Sequence, residues 1–299
     1  MCDNRRVQVV VTGGTGFVGR ALVAALGAAG HAAVGVTRDP ARAAGEAVGW
    51  ESLGPAVGAA DAVVHLAGAP LAAGRWTPER KARIRASRVD TTRAIVDALA
   101  QAEPRPAVLV SASAVGWYGP RGDEPLDETA SAGSGFLAEV CRAWEAEAER
   151  AEALGVRVVR LRLGVVLGRD GGALARMVPA FRAFVGGPIG SGRQWMSWIH
   201  RDDVIGLVLA ALGDPRWRGA VNATAPSPVR NADFASALGA TLARPSVVRT
   251  PAFVLRLALG EMADVLLTGQ RVVPGVATAL GFHWRYPDLR GALRASVRR

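Results

Sequence analysis

The sequence Val7-Gln-Val-Val-Val-Thr-Gly-Gly-Thr-Gly-Phe-Val-Gly19 decides how the rest of the chain is interpreted. Its first residues are mostly β-branched and apolar, as in a strand that is buried on both faces of a parallel sheet. Gly13, Gly16 and Gly19 follow with the spacing G-x-x-G-x-x-G. These glycines predict a tight turn, a close approach of the backbone to a pyrophosphate, and close packing of the next helix on the strand.

The elements on either side of the glycines strengthen this interpretation. An apolar helix is predicted over 17–29, ended by Gly30, and a second strand over Ala32–Val36. A helix N-terminus offers a diphosphate unpaired N–H groups and the positive end of the helix dipole. A glycine triplet alone is weak evidence, but the order strand, glycines, helix, strand predicts a dinucleotide site. The predicted fold class is therefore α/β, a Rossmann-type doubly wound parallel sheet.

Composition limits the classes of protein to consider. The chain has 299 residues, of which 50% are hydrophobic, enough for one large α/β unit or two small domains. No stretch approaches the roughly 18 apolar residues of a membrane span. Because the N-terminal residues run directly into the first strand, we expect no signal peptide. Cys2 and Cys141 exclude a disulfide framework and have no metal-ligand spacing. We expect a cytoplasmic protein with no membrane partner and no metal.

The chain is strongly basic. Its formal charge of +10 comes from 36 Lys and Arg against 26 Asp and Glu, and Lys81 is the only lysine. Such a balance is also typical of nucleic-acid-binding proteins, but these arginines are scattered and do not alternate with aromatic residues. Only the end of the chain is a basic cluster, with Arg290, Arg294, Arg298 and Arg299, as on a solvated helix face. We expect no nucleic-acid partner and some attraction for anionic ligands.

Strands and helices alternate up to Gly168 and then lose this alternation. Before it, strands are predicted at 61–68, 107–113 and 156–166, and helices at 78–100, with Thr77 as N-cap, and 136–153. After it, helices are predicted at 177–184, 202–212, 231–243, 252–267 and 275–280, a strand at 220–223 and a glycine-rich loop at 186–200. We therefore expect a dinucleotide-binding domain over 1–168, with 200–225 rejoining it. A smaller, mostly helical substrate domain is expected over 169–199 and 226–299.

Several motifs carry a resemblance to a known family. Thr12–Gly19 with His65-Leu-Ala-Gly68 and Ser111-Ala-Ser113 resembles the extended short-chain dehydrogenases/reductases. More narrowly, the chain resembles their epimerase-like branch with a C-terminal domain of unknown function. The narrower resemblance covers nearly the full length and rests on Arg75-Trp-Thr77, Ser87-Arg88, Gly186-Gly-Pro-Ile-Gly-Ser-Gly192, Ser197-Trp-Ile-His-Arg-Asp-Asp203 and Gly269-Gln-Arg-Val-Val-Pro274. It implies a nicotinamide cofactor.

The end of the second strand bears on which cofactor binds. An NAD site places Asp or Glu there, whereas an arginine pairs with the 2′-phosphate of NADP. Thr37 and Arg38 are the first residues able to reach the ribose, and Asp39, before Pro40, is expected to start a turn. Arg38 favours NADP(H); a surface arginine without ligand is the alternative. The turn and the resemblance together give these cofactor-binding residues: Gly13, Thr15, Gly16, Phe17, Val18, Thr37, Arg38, Leu66, Ala67, Gly68, Arg88 and Val166.

The catalytic residues depart from the wider superfamily. That chemistry uses a tyrosine, a lysine four residues later that lowers its pKa, and a Ser or Thr that holds the substrate oxygen. Tyr118 and Tyr286 are the only tyrosines, and neither precedes a lysine at that spacing. The resemblance places Ser113 where the Ser or Thr stands, although a plain turn residue is an equal alternative. Tyr118 is the candidate acid, although the resemblance also allows a tyrosine that simply packs before Gly119; without a nearby cation its pKa is expected near ~10.

Other polar residues have both a chemical and a structural interpretation. Glu139 is a candidate proton carrier and Cys141 a candidate nucleophile, although a solvated glutamate and a buried thiol are commoner. His200 with Asp202 and Asp203 indicates either a general base or, more in line with the resemblance, a helix start that the Asp caps. The substrate pocket is predicted to be lined by Gln194, Trp195 and Trp198.

Two hypotheses of function follow. The first is an NADP(H)-dependent oxidoreductase or epimerase-like enzyme acting on a small polar molecule such as a nucleotide sugar, with hydride chemistry supplied by the cofactor. The second is a non-catalytic NADP(H)-binding sensor whose closure signals to a partner. The missing tyrosine–lysine pair favours the second, and the retained Ser113 loop and the elaborate C-terminal part favour the first. The oligomeric state is left open.

Overall fold

The structure, a computed structural model, describes residues 6–43 and 45–297. Seven parallel strands form its central sheet, in the order β11-β7-β5-β4-β1-β2-β3. All strands of the described chain are β1 (Gln8–Thr12), β2 (Ala32–Val36), β3 (Ala47–Val48), β4 (Ala62–His65), β5 (Val108–Ala114), β6 (Pro125–Leu126), β7 (Arg157–Leu163), β8 (Val165–Leu167), β9 (Trp195–Met196), β10 (Trp198–His200), β11 (Gly219–Ala223), β12 (Val229–Arg230) and β13 (Arg271–Val272).

Helices cover both faces of the sheet and form most of the C-terminal part. They are α1 (Phe17–Ala28), α2 (Leu53–Gly58), α3 (Pro78–Gln101), α4 (Phe136–Glu149), α5 (Leu174–Arg182), α6 (Arg201–Gly213), α7 (Asn231–Leu242), α8 (Ala252–Leu259), α9 (Asp264–Leu267), α10 (Gly275–Ala279) and α11 (Leu289–Val297). Short 3-10 helices lie at Pro40–Arg42, Trp50–Ser52, Val115–Tyr118, Arg150–Leu154 and Gly260–Ala263. Thr77 caps α3 as predicted, because its hydroxyl oxygen accepts the N–H of Arg80 at 3.2 Å.

The β-branched run of β1 explains why the sheet is buried on both faces. Val9 and Val11 lie in one apolar cluster, which also contains Leu22 of α1, and Val10 lies in the other, with Ile95 of α3. Successive side chains of a strand point to opposite faces, so a run without polar residues needs a cover on each side. The predicted Rossmann-type α/β fold is confirmed. Because the strands are parallel, the carboxyl ends of β1, β4, β5 and β7 share one edge.

Several element boundaries differ from the prediction. The strand predicted over 156–166 is split at Gly164, where an added Cβ would lie 2.6 Å from the carbonyl oxygen of Ser197. The chain leaves the main sheet there, and β8 pairs with β10. The helix predicted over 252–267 is interrupted at Gly260, which has φ +60°. The predicted loop 186–200 contains β9 and β10, and α5 begins three residues before the predicted 177.

The C-terminal part has its own core but also contributes to the first one. Helices α5, α7 and α11 enclose an apolar cluster around the fully buried Trp198 and Phe234. Residues 276–284, however, pack on the sheet-side cluster, where the ring of Phe282 lies 6.1 Å from that of Trp217. The strand β11, within the segment 200–225, extends the main sheet. A division into separate dinucleotide and substrate domains stays a prediction.

Candidate functional site

The glycine turn lies against the end of β4. Gly13 has φ +74°, and an added Cβ would lie 2.8 Å from the backbone of both Leu66 and Ala67. Gly16 precedes α1 as its N-cap residue, without a side chain over the helix N-terminus. The structure therefore brings Gly13, Thr15 and Gly16 to the same edge as the segment Leu66–Gly68. At this edge the backbone N–H groups of the α1 N-terminus are open to an anion.

Phe17 and Val18 are held by packing. The Phe17 ring lies beneath the loop after β8, where an added Cβ at Gly168 would come within 2.9 Å of it. Arg201 places its guanidinium 5.1 Å from the same ring. Val18 packs on the sheet-side cluster, as does Val166. The side chains of Phe17 and Val18 therefore contact protein, and a ligand at this edge would meet their backbone N–H groups.

The end of β2 carries unpaired positive charge. Arg38 is exposed and forms no hydrogen bond or ion pair with any residue in the described ranges. Thr37 is half-buried and lines a small cavity of about 30 Å³ together with Thr15 and Arg20. Asp39 precedes the 3-10 helix Pro40–Arg42, whose Arg42 is also exposed. Arg20 was not among the predicted residues, although it lines this cavity and lies two positions after Val18.

Arg88 of α3 is a desolvated cation beside the same edge. It donates to the carbonyl oxygens of Ile84 at 3.0 Å and Ala69 at 3.2 Å, and it pairs with no carboxylate among the described residues. Burial lowers the pKa of Arg88. A cation so placed favours an anionic or hydroxyl-rich ligand.

His65 is held neutral nearby. Burial and, second, the charge of Arg88 lower its pKa to about 3, and its Nδ1 lies 2.6 Å from the hydroxyl of Thr12.

A buried ion pair joins the ends of β5 and β7 to α4. Arg162 donates from Nε and from Nη2 to the two carboxylate oxygens of Glu145, each at 2.9 Å. The hydroxyl of Ser113 donates to Glu145 Oε1 at 2.6 Å. Glu145 is 2% and Arg162 3% exposed. Removing each ion of such a pair from water costs on the order of several kcal/mol. The attraction between well-aligned, hydrogen-bonded partners offsets this cost.

Tyr118 extends this network. Its hydroxyl accepts from Arg162 Nη1 at 3.0 Å and donates to Asn222 Oδ1 at 2.7 Å. The expectation that Tyr118 has no cation near it is wrong. Burial raises the pKa of Tyr118 above its usual value, and the charge of Arg162 opposes this rise. The side chain is fully buried, so its hydroxyl meets protein partners rather than solvent.

Sequence reasoning missed Glu145, Arg162 and Asn222. For Glu145 and Arg162 the available signal was a charged residue inside an otherwise buried element, on the apolar face of α4 and within β7; Asn222 is a polar residue inside the buried strand β11.

The remaining acid–base candidates have other surroundings. Glu139 is exposed on α4. Cys141 is buried, and burial and then the charge of Glu145 raise its pKa to about 12, so the thiol stays protonated. His200 caps α6, since its Nδ1 accepts the N–H of Asp202 at 3.2 Å. Burial lowers the pKa of His200 to about 4.

The capping role predicted for the Asp is therefore wrong, because the cap is the imidazole. Asp203 instead accepts the backbone N–H groups of Arg285 at 2.6 Å and Tyr286 at 3.1 Å. These two hydrogen bonds connect the C-terminal segment to the start of α6.

The three predicted substrate residues separate into two places. Trp198 is fully buried in the C-terminal core and donates to the carbonyl oxygen of Ser227 at 3.0 Å. The prediction that it lines a pocket is wrong, because β10 turns its side chain inward. Gln194 and Trp195 line a cleft of about 510 Å³, with residues 120–123 on one wall and 267–269 on another.

The 197–203 and 269–274 motifs join the two halves of the molecule. Ser197 donates to the carbonyl oxygen of Gln270 at 2.8 Å and accepts the N–H of Val272 at 2.9 Å. Gln270 donates through Nε2 to the carbonyl oxygen of Val115 at 2.6 Å. These contacts place the C-terminal segment over the loop that follows β5.

No helix in the described ranges has the length and apolar character to cross a membrane. Those ranges also hold no group of three or more metal-ligating side chains.

The parallel sheet with a glycine turn at the ends of β1 and β4 defines a Rossmann-type dinucleotide-binding protein. The chain belongs to the NAD dependent epimerase/dehydratase family, whose model matches residues 9–222. Residues 250–296 match a domain of unknown function, DUF1731. The resemblance to the extended short-chain dehydrogenases/reductases, in the branch with this C-terminal domain, is confirmed.

Relatives cover nearly the whole chain. The epimerase family protein SDR39U1 homolog, chloroplastic, of Arabidopsis thaliana is 45% identical and aligns over 99% of this chain and 89% of its own length. The human epimerase family protein SDR39U1 (isoform 2), solved with NADPH, has a TM-score of 0.90 and 35% identity, covering 96% and 98% of the two chains. A nucleoside-diphosphate sugar epimerase from Corynebacterium glutamicum has a TM-score of 0.80 and 34% identity, over 99% of this chain and 59% of that one.

Proposed function

We propose that this protein binds NADP(H) along the carboxyl edge of its sheet and acts as an oxidoreductase or epimerase-like enzyme on a small polar molecule. The observation that carries the cofactor choice is the free guanidinium of Arg38 at the end of β2. An NAD-selective site would need a carboxylate at that position to accept from the ribose hydroxyl. The human relative solved with NADPH supports the same choice.

Each part of the edge has a role in this proposal. The backbone of Gly13–Val18 holds the diphosphate at the α1 N-terminus. Thr37 and Arg38 take the 2′-phosphate. Leu66–Gly68 and Val166 form the walls of the crevice. Arg88 donates from its remaining N–H groups to the ribose on the nicotinamide side. It supplies a positive charge there although α4 contains no lysine. The bound cofactor supplies the hydride chemistry.

Ser113 is the proposed contact with the reacting oxygen, and Tyr118 is assigned a positioning role. Because the hydroxyl of Ser113 donates to Glu145, its lone pairs remain to accept a hydrogen bond from a substrate hydroxyl. Tyr118 holds Arg162, which in turn holds Glu145. The closed network of Ser113, Glu145, Arg162 and Tyr118 thus takes the place of a solvent-facing Tyr-x-x-x-Lys pair.

A non-catalytic NADP(H) sensor is the second candidate. The observation that favours it is that the hydroxyls of Ser113 and Tyr118 are both buried, at 2% and 0% exposure, and already bonded within the protein. In this case the C-terminal segment, bonded through Gln270 to the loop after β5, would report cofactor binding to a partner.

Calorimetry and turnover separate these proposals. The wild-type protein is titrated with NADPH and NADH, beside Arg38→Ala and a control, Arg290→Ala, on α11. We expect Arg38→Ala to weaken NADPH binding about tenfold or more, as for the loss of a charge-assisted contact, and to leave NADH unchanged. Equal NADPH affinities in all three proteins would refute the assignment of Arg38. NADPH oxidation with a panel of carbonyl compounds that is lost in Ser113→Ala supports the enzyme, and tight binding without turnover supports the sensor.

A further inference from the structure

The exposed large apolar side chains of the described chain are concentrated in its C-terminal part. They are Phe184, Val185, Val247, Val248, Phe253, Val254, Leu257 and Val265. Single exposed hydrophobic residues are normal on a protein surface, whereas a group of them in one region marks an interaction site. We call the seven residues in segments 184–185, 247–248 and 253–257 the apolar ridge.

Helix α8 forms the main part of the apolar ridge. Its sequence is Ala252-Phe-Val-Leu-Arg-Leu-Ala-Leu259, so Arg256 is its only polar residue, and none of its residues is buried. A helix that is apolar on nearly every side is normally enclosed by protein or by lipid. In the described chain α8 has no such enclosure, because Phe253 is 70% and Leu257 76% exposed.

The other two segments of the apolar ridge are fixed beside the start of α8. The N–H of Val248 donates to the carbonyl oxygen of Gly186 at 3.3 Å. The N–H of Thr250 donates to the carbonyl oxygen of Pro188 at 3.0 Å, and its own carbonyl oxygen accepts the N–H of Gly190 at 2.9 Å. These hydrogen bonds hold segments 184–190 and 247–250 side by side, and the second segment leads directly into α8.

The chain segments of the apolar ridge carry positive charge only. Residues 182–190 and 244–260 contain no Asp or Glu and four arginines: Arg182, Arg244, Arg249 and Arg256. The guanidinium carbon of Arg244 lies 4.8 Å from the centre of the Phe184 ring, so this charge borders the apolar side chains. Of the four, Arg256 alone meets a carboxylate in the part of the chain that the structure describes, that of Asp264 at 3.7 Å, and both side chains are exposed. The ridge is therefore apolar with a cationic border.

We propose that the apolar ridge docks this protein on an anionic lipid surface, with Phe253 and Leu257 among the acyl chains and the arginines at the headgroups. Apolar side chains beside basic ones are the combination that places a helix in the plane of a membrane interface. Each arginine near an anionic leaflet strengthens binding about fivefold, and its apolar stem packs along the ridge while the charge reaches the headgroups. Such docking needs no membrane-spanning helix, and it does not depend on the proposed function.

Two observations favour lipid over a protein partner. Val247 is 80% exposed, and with Phe253 and Leu257 it stands clear of its neighbours, so the ridge is convex. A partner helix is bound in a groove, whereas fluid acyl chains close around a protruding side chain. A second copy of this chain in a twofold contact would place the four arginines against the same four arginines, and such like-charge contacts oppose association.

The expectation of no membrane partner came from the lack of a long apolar run in the sequence. The apolar ridge is not visible to that criterion, because it is assembled from three short segments that only folding brings together. It also differs from a membrane span, since its side chains would enter one leaflet and leave the rest of the protein in water.

The test is co-sedimentation of the whole protein with vesicles of phosphatidylcholine alone, or of equal parts of phosphatidylcholine and phosphatidylglycerol. One variant combines Phe253→Gln with Leu257→Gln, and a second is Arg182→Gln, which breaks no contact of the described chain. Arg218→Gln, an exposed arginine at the amino end of β11, is the control. Urea midpoints should be equal in all four proteins, because the substituted side chains are exposed.

We expect the wild type to sediment with the anionic vesicles. Binding should weaken about a hundredfold in the double variant, as for two apolar side chains returned to water. It should weaken about fivefold in Arg182→Gln and stay unchanged in Arg218→Gln.

Four results would overturn the proposal. The first is a wild-type protein that does not sediment with the anionic vesicles. The second is equal binding by the wild type and the double variant, which would assign sedimentation to the overall positive charge of the chain. The third is equal binding to both kinds of vesicle, since an anionic surface would then not be required. The fourth is a dimer in sedimentation velocity that the double variant abolishes, without vesicle binding, which would show that a second copy covers the ridge.

Discussion

Replacing Glu145 by glutamine tests the buried network directly. The wild-type carboxylate accepts from Arg162 twice at 2.9 Å and from Ser113 at 2.6 Å, and it is 2% exposed. The amide keeps the shape but removes the charge, which leaves the guanidinium of Arg162 buried without a counter-ion. Removing one partner of a buried pair costs about 3–5 kcal/mol. That is a large fraction of the roughly 5–15 kcal/mol by which domains are stable.

The assay is urea denaturation followed by circular dichroism, with the free energy of unfolding taken from the midpoint and slope. Glu149→Gln is the matched control, because Glu149 also pairs with an arginine of β7, Arg160, but is 45% exposed. We expect the control to cost less than about 1 kcal/mol. The double variant Glu145→Leu with Arg162→Met should be more stable than Glu145→Gln, since no unpaired charge is left.

Equal effects of Glu145→Gln and Glu149→Gln would refute this reasoning. It would mean that the environment of Arg162 is wetter or more adaptable than its 3% exposure indicates. A NADPH titration of each variant shows separately whether the cofactor edge is intact.

Four further predictions follow from the structure. The pKa values of His65 and His200 are lowered in the folded state to about 3 and about 4. The free energy of unfolding is therefore at its full value above pH ~6.5 and falls as the pH drops through that value toward ~4. The expected loss between pH 7 and pH 5 is about 2 kcal/mol per histidine. Urea midpoints at both pH values should show a smaller loss in His65→Asn than in the wild type. Gly13→Ala should weaken NADPH binding more than about tenfold in calorimetry, since strain of about 1–3 kcal/mol arises at its positive φ and against the backbone after β4. Arg88→Met should weaken NADPH binding about tenfold, as for one lost charged hydrogen bond, without lowering the thermal midpoint. Trp198→Ala should cost about 3–5 kcal/mol in urea denaturation, as for a large buried side chain.

The dinucleotide edge could be predicted because local rules determine it. The apolar run before Gly13, the glycine spacing and the element order all lie within about one βαβ unit. The position of Arg38 at the end of β2 follows from the same short segment. Tertiary contacts were not needed for these predictions.

The buried network could not be predicted in this way because its partners are distant in sequence. Ser113 and Glu145 are separated by 32 positions, and Tyr118 and Asn222 by 104. Only the folded topology shows that they meet. The prediction for Trp198 was wrong for a similar reason. The strand β10 forms by pairing with β8, which is distant in sequence, and the glycine-rich sequence around Trp198 does not show this pairing.

The packing of residues 276–286 on the sheet side has a consequence for how the protein is made. The indole of Trp284 donates to the carbonyl oxygen of Thr224 at 3.1 Å, and Asp203 holds the backbone at Arg285 and Tyr286. Because residues 276–286 follow the sheet in the chain, the side of α6 that they cover stays open during synthesis until these residues have emerged from the ribosome.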